Sequence, residues 1–424
     1  MYLKQLHFSL KNGNLRRRLE EIYAADALAQ ERRLLELADT FAGLFPGEEE
    51  DVSVFSAPGR SEIGGNHTDH NNGKVLAASV NLDMQAVAAK TGGDRILVKS
   101  ANYPLNDVNL DVLTPVDVEY GHSNAMIRGI CAGFTQRGYK IGGFCAATVS
   151  DVLSGSGLSS SAAFEVLICT ILNCFYNDCS ISPLEIAQIS QYAENVFVGK
   201  PSGLLDQTAC AVGGFVSIDF ADTKAPVVQP VAFDFAASGH ALCILDTGGS
   251  HADLTDDYAA VRAEMEHVAG ALGKKVLRET SREELLQYLP VVREKTGERA
   301  ILRALHFFAE NDRVDAQAAA LGRGDFPAFL ALIKQSGQSS YMYGQNVFTP
   351  KRPEQPVALA LALSETLLGE RGAWRVHGGG FAGTIQAFVP LDMLESYRNA
   401  MEAVFGAGSC YVLRVRPHGG VKIF

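Results

Sequence analysis

Four segments of the chain concentrate the residue types that bind ligands or take part in catalysis. The first contains the turn APGR at residues 57–60 and the loop GGNHTDHNNG at residues 64–73. Glycine, histidine, aspartate and asparagine at this density after a strand are typical of a loop whose backbone approaches a ligand while polar groups converge on it. The spacing of His67, Asp69 and His70 puts them on no common face of a regular element, which argues against a metal site.

The second segment is rich in glycine and serine, and an apolar helix follows it directly. It reads LSGSGLSSSAA over residues 153–163, and FEVLICTILNCF comes next. Small residues let a backbone curl around phosphate oxygens, and a helix start offers free N–H groups and the positive end of the dipole. Hydroxyls there are able to donate to phosphate or to bind Mg²⁺. The segment has no lysine, so it is not the GxxxxGK[ST] loop, and a flexible linker is the alternative.

The third segment holds two carboxylates whose surroundings require a partner for the charge. Glu194 lies near the C-terminal end of a predicted helix that ends at Gly199, where the helix dipole disfavours an anion unless a cation neutralises it. Asp206 follows Leu204 and Leu205 in an apolar run, where an ionised carboxylate needs a counter-ion. From these residues alone, a structural salt bridge explains each carboxylate as well as a catalytic role does.

The fourth segment reads HGGGFAGT over residues 377–384, between a predicted helix and a predicted strand. Three consecutive glycines permit close approach of the backbone to a ligand or to another loop. A tight turn without a ligand is the alternative.

The elements that must position these segments alternate between helix and strand, which predicts an α+β fold. Residues 92–93, both glycine, are predicted to form a hairpin turn between strands at residues 76–90 and 94–101. Ser182 is a predicted N-cap for a helix over residues 183–198, with Pro183 in its first turn and Glu185 three residues after the cap. Further helices are predicted within residues 13–45, at 123–138, 160–176, 356–368 and 391–405, and in several pieces over 255–332. Further strands are predicted at residues 52–58, 142–149, 213–220, 241–247, 384–390 and 410–416.

Length and composition limit the classes of protein. The 424 residues favour two domains, and we predict an N-terminal domain over residues 1–220 and a C-terminal domain over residues 221–424. A net charge of −11 argues against nucleic acid or an anionic membrane as the main partner. The eight cysteines form no C-x-x-C pair, so we expect buried free thiols. Without a signal peptide or a long apolar run, the expected location is the cytoplasm.

Together, the order of the four segments resembles that of the GHMP kinases, and the first resembles the galactokinase signature. That signature combines PGR with GEHTDYNxG, and here the corresponding residues read PGRSEIGGNHTDHNNG. The stretches GLSSSAAFEV, ENVFVGKPSGLLDQ and LGRGDFPAF are also similar to galactokinase sequences. The resemblance extends from about Phe41 to the C-terminus.

The resemblance implies the GHMP kinase fold, two α+β domains with the active site in the cleft between them. It implies transfer of the γ-phosphate of ATP, with Mg²⁺, to the anomeric hydroxyl of galactose. Asp206 would accept the hydroxyl proton or orient the hydroxyl beside Arg60, and Ser161 and Glu194 would bind Mg²⁺. The implied substrate-binding residues are Asn66, His67, Asp69, Gly203 and Tyr258. The implied ATP-binding residues are Ser154, Gly155, Ser156, Gly157, Leu158, Ser159, Ser160, Gly379 and Gly380.

The chain departs from the galactokinase signature at two positions that bear on the sugar. Asn66 replaces the glutamate before His-Thr-Asp, and His70 replaces the tyrosine after it. Because an asparagine both accepts and donates hydrogen bonds without a charge, we expect galactose to be accepted with looser selectivity. A kinase for galacturonate, N-acetylgalactosamine or arabinose stays open, as does a non-catalytic sugar sensor. The intact Arg60, Ser161, Glu194 and Asp206 argue against the sensor.

Overall fold

The computed structural model describes residues 1–152, 157–200, 202–249, 254–349 and 353–424, and it divides into two compact units. Unit 1 comprises Met1–Arg60, Ser79–Gly214 and Arg416–Phe424, and unit 2 comprises Ser61–Ala78 and Phe215–Val415. The main division, between residues 214 and 215, lies close to the boundary predicted at 220/221. Residues 61–78 and 416–424 each group with the other part of the sequence. The two functional domains stay a prediction.

Unit 1 is built on a mixed sheet, which contains both parallel and antiparallel strand pairs. Its apolar core contains Leu6, Leu19 and Phe41 from the N-terminal helices and Val87 and Ala147 from the strands. The helices are α1 (Leu3–Lys11), α2 (Arg16–Tyr23), α3 (Ala27–Leu44), α4 (Ser123–Gln136), α5 (Ser160–Tyr176), α6 (Pro183–Ala193) and α7 (Leu205–Val212). The strands are β1 (Val52–Gly64), β2 (Lys74–Lys90), β3 (Arg95–Ser100), β4 (Leu105–Asn109), β5 (Phe144–Ser150) and β12 (Val421–Lys422). Their order in the sheet is β12-β1-β2-β5-β3-β4. Residues 61–64 of β1 and 74–78 of β2 belong to unit 2.

The predicted hairpin at Gly92 and Gly93 is wrong. Strand β5 lies between β2 and β3, so that Phe144 is opposite Lys90 on one side and Ile96 on the other. The turn residues specify only that the chain reverses direction. A strand more than 40 residues later inserts between the two because its apolar side chains are buried at the centre of the sheet.

Most predicted helices of unit 1 are confirmed. Helix α6 has the predicted capping box, in which the Glu185 amide donates to Ser182 Oγ and the Ser182 amide donates to the Glu185 carboxylate, each at 3.3 Å. The α-helix ends at Ala193, five residues before the predicted end, and Glu194–Val198 continue as a π-helical turn. Such turns are frequent at functional sites.

Unit 2 combines two sheet regions with a set of helices. The strands are β6 (Phe215–Asp219), β7 (Val227–Val231), β8 (His240–Asp246), β9 (Ala373–His377), β10 (Thr384–Pro390) and β11 (Cys410–Leu413). The first residues of β2 pair with β6, which pairs with β7. The other sheet has the order β11-β8-β10-β9, and its pairs are antiparallel. The helices are α8 (Thr255–Ala271), α9 (Arg282–Gln287), α10 (Leu289–Thr296), α11 (Glu298–Gly322), α12 (Phe326–Ser339), α13 (Pro356–Leu368) and α14 (Leu394–Phe405).

The expectation of eight free thiols is wrong at two positions. Cys174 and Cys179 form a disulfide, with Cα atoms 4.1 Å apart. After α5 ends at Tyr176, Asp178 and Cys179 adopt positive φ angles of 56° and 53° and turn the chain back on itself. The other six cysteines are buried and free. Over the described ranges, no helix combines the length and apolar character needed to cross a membrane.

Candidate functional site

Unit 1 brings together the two residues predicted to be catalytic. Arg60 lies near the end of β1, and Asp206 is in the first turn of α7, where the helix dipole favours a carboxylate. Arg60 Nε donates to Asp206 Oδ1 at 2.7 Å, and Arg60 Nη2 lies 2.6 Å from Oδ2. Ser159 Oγ also donates to Oδ2, at 2.6 Å. This bidentate pair fixes the plane of the carboxylate.

The environment of Asp206 keeps its carboxylate ionised. Burial raises the pKa of Asp206, but the charge of Arg60 and the hydrogen bonds from Ser159 and Arg60 outweigh it, and the net pKa is below the ordinary value. The side chain retains 34% exposure. The result is a charged, oriented and partly accessible carboxylate that is a weak base.

The described part of the glycine-serine segment is attached to this pair. Arg60 Nη1 contacts the Gly157 carbonyl oxygen, and the Arg60 amide donates to the Leu158 carbonyl at 3.0 Å. Gly59 has to be glycine, because a Cβ there would lie 2.8 Å from the Leu158 carbonyl oxygen. Ser160 begins α5. The predicted phosphate-binding residues Ser154, Gly155 and Ser156 lie outside the described residues.

Glu194, the predicted metal ligand, is almost fully buried and is held by two side chains. Lys200 Nζ donates to Glu194 Oε1 at 2.6 Å, and Gln207 Nε2 donates to Glu194 Oε2 at 2.9 Å. Gln207 Nε2 also lies 3.1 Å from Oε2 of a second buried carboxyl group, Glu165. Burial and the nearby Glu194 charge raise the pKa of Glu165 well above its ordinary value, which favours the protonated form of this group.

The two predicted metal ligands, Glu194 and Ser161, carry oxygen atoms of the kind that bind Mg²⁺. The Lys200 ammonium demonstrates that a cation is accommodated against the Glu194 carboxylate, and Ser161, in the first turn of α5, offers a hydroxyl oxygen. Carboxylate and hydroxyl oxygens suit this hard cation. No group of three or more His, Cys, Asp or Glu that could hold a metal occurs in the described part of the chain. Protein-bound Mg²⁺ commonly completes its coordination with waters and substrate phosphates, which the chain need not supply.

In unit 2, the loop at residues 64–73 is bound to the triple-glycine segment. Asn66, 1% exposed, donates through Nδ2 to the Gly378 carbonyl at 2.7 Å. His67 adopts a φ of 59°, and its Nε2 lies 2.9 Å from the Gly379 carbonyl oxygen. The backbone carbonyls of residues 378 and 379 thus hold the two polar side chains that follow Gly65.

Tyr258 completes the predicted sugar-binding residues of unit 2 and packs on the same glycines. Its hydroxyl donates to the Gly380 carbonyl at 2.7 Å. A Cβ on Gly379 would lie 2.5 Å from the Tyr258 ring, so only glycine fits there. Asp69 begins a 3₁₀ turn and is half-buried. Gly203, the remaining predicted sugar residue, is exposed and belongs to unit 1.

His70, one of the two departures from the signature, is held neutral. Burial and the neighbouring His67 lower the pKa of His70 to about 3. Its Nδ1 lies 3.0 Å from Asn71 Nδ2, and no hydrogen-bond partner for its buried Nε2 is found within the described residues.

Sequence reasoning missed the side chains of α11 that support the loop from below. His306 Nε2 lies 3.0 Å from the Asn66 carbonyl oxygen, and Glu310 accepts from the Gly65 amide at 3.3 Å. Asn311 accepts from the Lys74 amide at 2.7 Å. These three polar residues recur at helical spacing on one long helix and are all buried. That spacing predicts a polar stripe on one face of the helix, but it does not predict which loop the stripe contacts.

Comparison with known proteins places the chain in a family. Residues 125–214 match the family described as GHMP kinases N terminal domain, and residues 39–90 match the galactokinase galactose-binding signature. A galactokinase of Streptomyces coelicolor is 31% identical over 381 residues, which cover 89% of this chain and 95% of that protein. The chain belongs to the galactokinase family. This membership confirms the predicted GHMP kinase fold and the predicted class, an ATP-dependent sugar kinase.

Two further galactokinases agree with the assignment. A galactokinase of Glaesserella parasuis is 31% identical over 368 residues, which cover 86% of this chain and 92% of that protein. The crystal structure of Lactococcus lactis galactokinase complexed with galactose superposes with a TM-score of 0.76 at 26% identity, covering 92% of this chain and all of that one. The departures at Asn66 and His70 lie inside the galactose-binding signature, and Ser161, Glu194 and Asp206 lie inside the GHMP kinase match.

Proposed function

We propose that this galactokinase-family protein transfers the γ-phosphoryl group of ATP to the anomeric hydroxyl of galactose, giving galactose 1-phosphate and ADP. The observation that carries the proposal is the bidentate Arg60–Asp206 pair, in a chain that matches the galactose-binding signature and aligns with galactokinases over most of its length.

In this proposal Asp206 orients the attacking hydroxyl and accepts its proton late. Phosphoryl transfer passes through a loose transition state, so the nucleophile needs little activation and positioning matters most. The lowered pKa of Asp206 fits such a role better than that of a strong general base. Arg60, which already holds both carboxylate oxygens, offsets negative charge on the transferred group.

ATP and Mg²⁺ would be held by the second and third segments. The backbone and hydroxyls of residues 154–160 would bind the phosphates, with α5 directing its positive end toward them. Glu194 and Ser161 would bind Mg²⁺. When bound, the ion neutralises charge on the phosphates. Gly379 and Gly380 would close over the nucleotide.

The sugar would bind at the loop of residues 64–73. The residues that would line the sugar site are Asn66, His67, Asp69, Gly203 and Tyr258. Support comes from the match of residues 39–90 to the galactose-binding signature and from the shared attachment of His67 and Tyr258 to residues 379 and 380. A cytoplasmic location and the lack of nucleic-acid and membrane partners stay predictions from composition.

A sugar panel tests the proposed function. ADP release is measured with MgATP and galactose, galacturonate, N-acetylgalactosamine or arabinose, and the product is identified by mass spectrometry. We expect the highest kcat/KM with galactose and phosphate on its anomeric oxygen. The highest kcat/KM with another sugar would reassign the substrate within the kinase class. Sugar binding without ADP release from any of the four would overturn catalysis and favour the sensor.

A further inference from the structure

The Asn66 carboxamide has its full hydrogen-bonding capacity used inside unit 2. Its Nδ2 donates to Glu62 Oε1 at 3.1 Å and to the Gly378 carbonyl at 2.7 Å. Its Oδ1 accepts from Asn346 Nδ2 at 2.9 Å and from Ser340 Oγ at 3.4 Å. A carboxamide has two donor hydrogens and two acceptor lone pairs, so a sugar hydroxyl would have to displace one of these partners. These four hydrogen bonds therefore fix the orientation of the Asn66 side chain.

The group that orients Asn66 is a carboxylate that lies between the PGR and GNHTDHNNG parts of the signature stretch. Glu62, on β1, accepts from Arg375 Nη2 at 2.6 Å as well as from Asn66. The Arg375 side chain is fully buried, whereas that of Glu62 is 15% exposed. Arg375 also donates to the Ile63 carbonyl at 2.6 Å and to the Val376 carbonyl at 3.0 Å. Arg375 thus holds the Glu62 carboxylate in a fixed place on the side of Asn66.

We propose that Glu62 is a positioning residue for sugar recognition, a deepening that rests on the proposed function. Its carboxylate, backed by Arg375, selects the orientation in which the Asn66 amide nitrogen faces Glu62 and Gly378. That orientation holds the loop at residues 64–73 against the glycine segment, where His67 and Tyr258 are attached. Loss of the carboxylate loosens this arrangement and weakens sugar binding while the Arg60–Asp206 pair is left intact.

The galactokinase signature has a carboxylate at position 66. In this chain, a carboxylate at that position is unfavourable as long as residue 62 is also a carboxylate. Asp or Glu at 66 would put acceptor oxygens against Glu62 Oε1 and the Gly378 carbonyl, where Asn66 now supplies donors. Two carboxylates in contact repel each other, and one has to be protonated or displaced. The pair therefore requires one carboxylate and one carboxamide.

An isosteric double-mutant cycle tests the proposal. Glu62→Gln removes the charge, Asn66→Asp removes the donor, and the double variant returns one amide and one carboxylate in exchanged positions. With the sugar that the wild type phosphorylates most efficiently, each single variant should raise the sugar KM about tenfold or more, as expected when a buried polar partner is lost. The KM for ATP should stay near the wild-type value. The double variant should raise the sugar KM by less than the product of the two single-variant increases.

A matched control separates positioning from general loss of stability. Glu119 pairs with Arg128 at 2.7 Å, and the side chains are 13% and 6% exposed, close to the Glu62–Arg375 pair. Glu119→Gln should lower the Tm comparably and leave the sugar KM unchanged. Sugar affinity is also measured by calorimetry on each folded variant. If Glu62→Gln fails to fold, Asn66→Asp, which leaves the Glu62–Arg375 pair in place, supplies the test.

Three results would overturn the proposal. They are an unchanged sugar KM in Glu62→Gln, an equal change in Glu119→Gln, and multiplicative effects in the double variant. An unchanged sugar KM in Asn66→Asp would overturn it as well when Glu62→Gln does not fold. Failure of the proposed function is detected separately, because the sugar panel uses only the wild-type protein.

Discussion

The Lys200 ammonium lies 2.6 Å from Oε1 of Glu194, the carboxylate that we propose as a Mg²⁺ ligand. The other Glu194 oxygen accepts from Gln207. Binding of a metal to Oε1 would bring two cations onto one oxygen, and their repulsion favours displacement of Lys200. Because the Lys200 side chain is 61% exposed and that of Glu194 only 3%, the lysine is the partner able to leave.

Removal of Lys200 should accordingly strengthen metal binding. We expect Lys200→Met to lower the Mg²⁺ concentration at half-maximal rate and the Kd for Mn²⁺ by about two- to fivefold, the range for a partly exposed ion pair. Mn²⁺ binding by electron paramagnetic resonance provides a measurement independent of turnover. Lys334→Met, which breaks the Lys334–Glu370 ion pair, is the control. Weaker Mn²⁺ binding in Lys200→Met would mean that the lysine assists the metal.

Glu194 and Glu165 form a second matched comparison, since both are buried carboxyl groups bound to Gln207. Glu194→Gln removes a charge that we propose to bind Mg²⁺, so the Mg²⁺ requirement should rise more than the sugar KM. Glu165→Gln replaces a carboxyl group whose raised pKa favours the neutral form, so the Mg²⁺ dependence should stay at the wild-type value. Rates measured against free Mg²⁺ check both. Equal behaviour of the two variants would assign Glu194 to a structural salt bridge.

The raised pKa of Glu165 predicts how stability depends on pH. A carboxyl group whose pKa is higher in the folded than in the unfolded state stabilises the fold below the unfolded pKa. That contribution is lost as the pH rises from the ordinary value of 4.5 through the folded pKa. Glu165→Gln cannot titrate, so its stability relative to the wild type should increase over this range. Urea unfolding at several pH values measures the difference, and a constant difference would show that Glu165 is ionised in the folded protein.

The parts of this structure that the sequence predicts are those encoded locally. The capping box at Ser182, the helix that begins at Ser160 and the glycine-rich turns follow from neighbouring residues. The apolar run around Asp206 predicts a cationic partner for its carboxylate, and the resemblance to galactokinases implies its catalytic role and Arg60 beside it. The two side chains indeed pair across 146 residues.

Contacts that depend on chain topology were not predictable in the same way. Glu62 and Arg375 are 313 residues apart, and Asn66 and His306 are 240 apart, so no local pattern links them. Asn66 was expected to bind the sugar directly because its residue type allows it, and that role stays a prediction. The structure adds that the hydrogen-bonding capacity of the Asn66 side chain is used by Glu62 and other internal partners. Similarly, the glycines at 92 and 93 did not reveal that β5 separates β2 from β3.

The last prediction concerns Asp206 and separates its charge from its shape. Asn at this position keeps an oxygen that accepts from Ser159 but loses the charge paired with Arg60. Positioned proton transfer contributes about 10²–10⁴-fold, so Asp206→Asn should lower kcat by at least about 10²-fold. Calorimetry should give ATP and sugar affinities close to the wild type, because the carboxylate acts on the reacting hydroxyl.

Asp219→Asn is the control for Asp206→Asn. Asp219 accepts two hydrogen bonds from Arg278, at 2.9 and 2.7 Å, with side chains about a quarter exposed. Breaking that pair should lower the Tm without lowering kcat.

Because the pKa of Asp206 is below its ordinary value, the wild-type kcat should not fall from titration of this group between about pH 8 and pH 5. More than about a tenth of wild-type kcat in Asp206→Asn would remove Asp206 from the catalytic role.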